Sequence, residues 1–157
     1  MESYAAALRE RLPERTVELA RTPAAERESV ADARVVTGID LRPELVEAAT
    51  SLELFACTFA GTDHLDLGAL AASGVAVTNA GGIHAPGIAE QTIGHMLVFA
   101  RRLQEAWRRK RNAEWRHFQS SEFAGSTVTV VGLGAIGRAV TRRLEGFDVD
   151  TVGIRYT

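Results

Sequence analysis

Thr127-Val128-Thr129-Val130-Val131-Gly132-Leu133-Gly134-Ala135-Ile136-Gly137 runs from a β-branched stretch into a turn punctuated by three glycines. The residues that follow, up to Glu145, place Val140 and Leu144 at helical spacing from Ile136, with Ala139 filling in. Near-continuous Val and Thr reads as a parallel strand buried on both faces, and the spaced apolar residues read as one face of a helix. The turn therefore sits between a strand and a helix, the context in which G-x-G-x-x-G carries meaning. Gly132 permits the tight turn, Gly134 lets the backbone approach a pyrophosphate, and Gly137 lets the helix pack closely on the strand. Ala135 and Ile136 open the helix, whose free N–H groups and positive dipole end suit phosphate. Val149–Ile154 is the next strand, so the segment reads as the first βαβ unit of a dinucleotide-binding domain.

About twenty residues past the turn, a site preferring NAD places an acidic residue at the end of the second strand. Here Asp148 and Asp150 fall before or within that strand, and Arg155 stands at its end. A guanidinium there favours an extra 2′-phosphate through forked, charge-assisted hydrogen bonds. The pattern predicts NADP(H) over NAD(H).

Upstream, Ile88 to Arg111 reads as one long helix, with Ala89, Ile93, Met96, Leu97, Ala100 and Leu103 on a broad face and a basic far end. Asn112–Gly125 is a polar and aromatic connector. Nearer the start, helices are predicted over Ser3–Arg11, Thr22–Asp32 (Thr22 capping before Pro23), Arg42–Ala49 and Leu65–Ser73. Strands are predicted over Thr16–Ala20, Arg34–Ile39, Leu52–Phe59 and Val75–Thr78, and Asn79-Ala80-Gly81-Gly82 is loop chemistry. Strands alternating with helices at this spacing predict parallel sheets covered on both faces.

The chain has 157 residues, 46% of them apolar and 24% charged, with a formal charge of −2. Those proportions exclude disorder, and charges interrupt every apolar run before it is long enough to span a membrane. The single cysteine, Cys57, excludes a disulfide scaffold and a cysteine-built zinc site. No basic segment followed by an apolar run opens the sequence, which makes the cytoplasm the expected compartment. The basic run Trp107-Arg108-Arg109-Lys110-Arg111, with Trp115-Arg116, could meet nucleic acid, but the slight negative balance favours a solvated helix end with both tryptophans anchored in packing. Neither a nucleic acid nor a membrane is an expected partner.

Several further segments agree with one family. Ala60-Gly61-Thr62-Asp63-His64-Leu65-Asp66 resembles a G-x-D-x-(I/V)-D loop, and Gly74-Val75-Ala76-Val77-Thr78-Asn79 a G-I-x-V-x-N strand. Ile88-Ala89-Glu90 stands where V-A-E begins an interdomain helix, and Gly125–Gly137 resembles G-x-T-V-x-(I/V)-(I/V)-G-x-G-x-I-G. In order and spacing the chain resembles the D-isomer-specific 2-hydroxyacid dehydrogenases, in particular glyoxylate/hydroxypyruvate reductases and phosphoglycerate dehydrogenases.

The resemblance implies an α/β fold in which a flavodoxin-like parallel-sheet substrate domain (1–87) is joined by an interdomain helix (88–111) to a Rossmann domain (112–157). It implies hydride transfer between a nicotinamide cofactor and a 2-oxoacid or D-2-hydroxyacid, in a homodimer. The loop Ala60, Gly61 and Thr62 is expected to hold the substrate carboxylate through backbone N–H groups, as an anion nest does. His84 falls where some members place a substrate-contacting Asn. The family's catalytic Arg, acidic residue and His lie downstream of the phosphate loop, so no catalytic residue is expected within this chain, and His64, His95 and His117 are read as structural or solvated. The substrate domain's first strand is also expected to be missing, which makes the chain a fragment without turnover of its own. A non-catalytic, corepressor-like dinucleotide-binding module is the alternative, because fold resemblance alone does not establish catalysis.

Overall fold

A computed structural model describes residues 1–155. The chain divides into two units, the first Met1–Ala80 and the second beginning at Gly81. Each has its own apolar core.

In the first unit, α1 (Glu2–Arg11), α2 (Pro23–Ala31), β1 (Val35–Gly38), α3 (Pro43–Ala48), β2 (Leu54–Cys57), α4 (Leu67–Ala72) and β3 (Ala76–Asn79) follow one another. The strands form a parallel sheet in the order β1-β2-β3, with Phe55 opposite Val36 on one side and Val77 on the other. The central strand buries Phe55 and Cys57 completely or nearly so, which is why Leu52–Phe59 reads as a continuous apolar run. Val30, Leu41, Leu45, Leu52, Leu65, Leu70 and Val75 complete that core. Two helix starts are fixed by side chains: Thr22 Oγ1 accepts from the Ala25 N–H, and Asp66 Oδ1 from the Ala69 N–H.

Thr16–Ala20, expected as a strand, is not one. Side chains hold it instead: Arg9 Nε donates to the Val17 carbonyl at 3.0 Å and Ser29 Oγ to Glu18 at 2.8 Å. A β-branched pair can read as a strand while no neighbouring strand is there to pair with it.

The second unit contains α5 (Ala85–Ala100), α6 (Leu103–Arg111), β4 (Thr127–Val131), α7 (Ala135–Leu144), a single 3₁₀ turn at Glu145–Phe147, and β5 (Asp150–Ile154). β4 and β5 pair in parallel, Thr127 opposite Asp150 and Val131 opposite Ile154. Ala85, Ala89 and Ile93 of α5 pack with Ala139, Val140 and Leu144 of α7, and Val128 joins them from β4. The alanines allow close approach of the helices. A Cβ on Gly82 would lie 3.5 Å from Ala135, and Arg143 meets Glu90 at 3.6 Å, so α5 and α7 run in the same direction. Thr127, Thr129, Val131, Val152 and Ile154 are exposed, so among the described residues this sheet is not covered on both faces as expected.

The helix expected as one piece from Ile88 to Arg111 is two, broken at Arg102 in the left-handed region with φ 50°. The connector causes the break. The Ala100 carbonyl accepts from the Ser121 N–H at 3.1 Å, while Arg101 and Arg102 donate to the carbonyls of Ser121 and Gln119. The guanidinium groups of Arg102 and Arg109 lie 5.5 and 4.6 Å from the centre of the Phe118 ring. Arg108 and Arg109 both bond Glu105, so much of the basic run is occupied within its own unit. The tryptophans are not packed as expected: Trp107 is 56% exposed and Trp115 fully so.

Candidate functional site

The glycine turn in the second unit begins where β4 ends. Gly132 N–H donates to the Ile154 carbonyl at 2.8 Å, extending the strand ladder one step, and its φ of 91° then turns the chain. A side chain at that φ is strained, so the first glycine is required by conformation. Leu133 folds over β5, where a Cβ on Gly153 would lie 2.9 Å from its Cδ1. The Leu133 carbonyl accepts from Arg138 Nη1 at 2.6 Å, which ties the turn to the helix it feeds.

Gly134 is the N-cap of α7 in an extended conformation, with no side-chain cap. The first bond closing the helix runs from the Arg138 N–H to the Gly134 carbonyl at 3.1 Å. The amides of Ala135, Ile136 and Gly137 therefore have no acceptor inside the helix. A Cβ on Gly134 would meet nothing within 4 Å, whereas one on Gly137 would collide with the Gly132 carbonyl and crowd Val130 Cγ1 at 3.3 Å. The turn thus has open space beside Gly134, unpaired amides aimed along a helix axis, and tight packing beneath Gly137. That arrangement fits a pyrophosphate.

Arg155 is exposed and follows directly on Ile154, the residue bonded to Gly132, so it stands at the same end of the sheet as the turn. Asp148 and Asp150 lie at the opposite end of β5, where they bond Gly125 and Ser126. His84 is the exposed N-cap residue of α5. The contact between Gly82 and Ala135 brings its loop beside the first turn of α7, a neighbourhood that no local pattern announces.

Ala60, Gly61 and Thr62 belong to the first unit, beyond the end of β2. The carbonyls of Phe59, Ala60 and Thr62 are committed: Asn79 Nδ2 donates to the Ala60 carbonyl at 2.7 Å, the Ala80 N–H to Phe59 at 3.1 Å, and the Leu65 N–H to Thr62 at 2.9 Å. The N–H groups of Ala60, Gly61 and Thr62 find no acceptor among the described residues. Gly61 is not in the left-handed region, and a Cβ there would meet nothing within 4 Å, so what it contributes is access. His64 closes the loop, its Nε2 lying 2.7 Å from the Ile39 carbonyl and its ring edge-on to Phe59. Since a carbonyl only accepts, Nε2 carries the proton. Asn79 had no assigned role in the sequence, because only the folded strand ends bring it to this loop, whereas His64, read as structural or solvated, has a structural contact to Ile39.

Among the described residues no helix is long and apolar enough to cross a membrane, and no group of His, Cys, Asp and Glu is placed to hold a metal ion.

Residues 93–157 match the profile of the D-isomer specific 2-hydroxyacid dehydrogenase, NAD binding domain. The chain is 36% identical to a glyoxylate/hydroxypyruvate reductase of Arabidopsis thaliana over 124 residues, 76% of this chain and 38% of that protein. It is 31% identical to a D-3-phosphoglycerate dehydrogenase of Methanocaldococcus jannaschii over 131 residues, 80% of this chain and 25% of that one. The solved structure of a dehydrogenase from Rhizobium meliloti superposes with a TM-score of 0.72 at 27% identity, covering 98% of this chain and 56% of its own. The chain therefore spans well under half the length of these curated relatives.

Proposed function

We propose, from the premise that this chain belongs to the D-isomer specific 2-hydroxyacid dehydrogenase family, that it forms the carboxylate-holding and phosphate-holding portions of a nicotinamide-dependent 2-hydroxyacid oxidoreductase. The observation that carries this reading is the open, uncapped amide cluster at Gly134 above the closed packing at Gly137. The amides of Gly134, Ala135 and Ile136 bind the cofactor's phosphates, and Gly132 and Gly137 hold those amides in place. When bound, the nicotinamide supplies or accepts the hydride. Ala60, Gly61 and Thr62 orient the substrate carboxylate through their unpaired N–H groups, and His84, at the start of α5, is a substrate-contacting residue of the second unit. None of the four histidines is assigned the acid–base role, and no catalytic residue is assigned within this chain.

Arg155 directs the preference toward NADP(H), because it follows directly on the end of β5, where a guanidinium suits a 2′-phosphate. Titration of the chain with NADPH and NADH, followed by reduced-nicotinamide fluorescence, tests this. Tighter NADPH binding that Arg155→Ala equalises is expected; tighter NADH binding overturns the preference. Two copies associate through α5 and α6, where Ile88, Phe99 and Trp107 are exposed apolar residues. Sedimentation at increasing concentration is expected to show a dimer that Phe99→Glu dissociates, and a monomer at all concentrations contradicts it.

A further inference from the structure

The loop Phe59–Asp66 joins the ends of all three strands of the first unit. Phe59 and Ala60 turn their carbonyls toward the end of β3, where the Ala80 N–H and the Asn79 side chain meet them at 3.1 and 2.7 Å. At its other end the loop reaches back over β1, where His64 Nε2 donates to Ile39 at 2.7 Å. A peptide plane whose oxygen is pinned on one side must direct its N–H to the other. The Asn79–Ala60 bond fixes the plane shared by Ala60 and Gly61, and therefore the direction of the Gly61 N–H. Asn79 is the only side chain among the described residues that bonds a carbonyl within Ala60–Thr62.

We infer that Asn79 is a positioning residue for carboxylate recognition, fixing the Gly61 amide through the Ala60 carbonyl, and that His64 supports it from the β1 side. This rests on the reading of Ala60–Thr62 as the carboxylate-binding loop. Asn79 does not touch the carboxylate; it sets an amide in advance, so that binding does not have to order the loop. Of the two clamps, Asn79 matters more, because it acts on the peptide unit that carries the Gly61 N–H, whereas His64 lies beyond the turn.

The test uses the full chain labelled with ¹⁵N, with oxamate, a stable 2-oxoacid analogue, as the probe. In the unaltered chain oxamate is expected to shift the Gly61 and Thr62 amides saturably. Asn79→Ala is expected to weaken binding about five- to tenfold, the scale of one hydrogen bond, and to move the Gly61 amide resonance before any oxamate is added. His64→Ala is expected to weaken it by about half that factor on the same scale, and Thr78→Ala, beside Asn79, to leave it unchanged. Unaltered affinity in Asn79→Ala, with a lowered melting temperature alone, overturns the positioning role while leaving the carboxylate site standing. Failure of oxamate to shift Gly61 and Thr62 in the unaltered chain removes the carboxylate site and this inference with it.

Discussion

Gly134 and Gly137 lie one helical turn apart, yet a methyl group has opposite consequences at the two positions. At Gly134 it enters open space, so Gly134→Ala is expected to keep stability within about 0.5 kcal/mol of the parent. On the proposed phosphate-binding reading the same methyl occupies the volume the phosphate needs, and dinucleotide affinity is expected to fall at least about tenfold. At Gly137 the methyl meets the Gly132 carbonyl, and the helix must move off the strand. Gly137→Ala is expected to lose about 1–3 kcal/mol as an overpacked site. Thermal melts beside dinucleotide titrations separate the two; equal melting temperatures would contradict the assignment. The open turn at Gly134 and the close packing at Gly137 were legible in the sequence because a strand, a glycine turn and a helix follow one another without a gap. Asn79, His64 and Gly82 were not legible, because their partners are far away in sequence and meet them only across strand ends or helix starts.

At the scale of elements, the break between α5 and α6 shows where periodicity misleads. Apolar spacing continues from Ala89 through Ala100 to Leu103, but the turn at Arg102 is imposed by Phe118, Gln119 and Ser121 in the connector. No pattern within a helix can report the demands of a loop that returns to it. Within α6 itself, Glu105 near the helix start accepts from Arg108 and Arg109 at 2.6–2.9 Å. Those guanidinium groups hold the Glu105 carboxyl down at about 2. Its folded-state value lies below the unfolded one, so its contribution is complete above the ordinary carboxylate range and is lost as pH falls toward 2. A carboxyl ¹³C titration of Glu105 is expected to show a midpoint near 2, rising when Arg108 and Arg109 are both replaced by Ala. An ordinary carboxylate midpoint in the parent would show these bonds are not kept in solution.

At the scale of the whole molecule, the alternation of strands and helices correctly announced parallel α/β architecture, and the motif order matched the family over most of the chain. Sequence pattern could not show that Val131, Val152 and Ile154 stay exposed, since an apolar strand reads the same whether or not a layer covers it. Each unit has its own core, Phe55 at the centre of one and Leu144 of the other, both fully buried. Phe55→Ala is expected to cost the first unit about 3–5 kcal/mol, and Leu144→Ala the second about 2–5 kcal/mol. Amide hydrogen exchange is expected to show each loss in the unit that holds the substituted residue; a uniform loss across both units from either substitution would contradict separate cores.

Backbone amide spectra of the ¹⁵N-labelled chain during titration with NADPH measure the phosphate-loop claim most directly. Saturable shifts are expected at Gly132, Gly134, Ala135 and Ile136, and their absence in Gly134→Ala. NADPH binding that leaves these four amides unmoved, or no binding at all, would contradict the account.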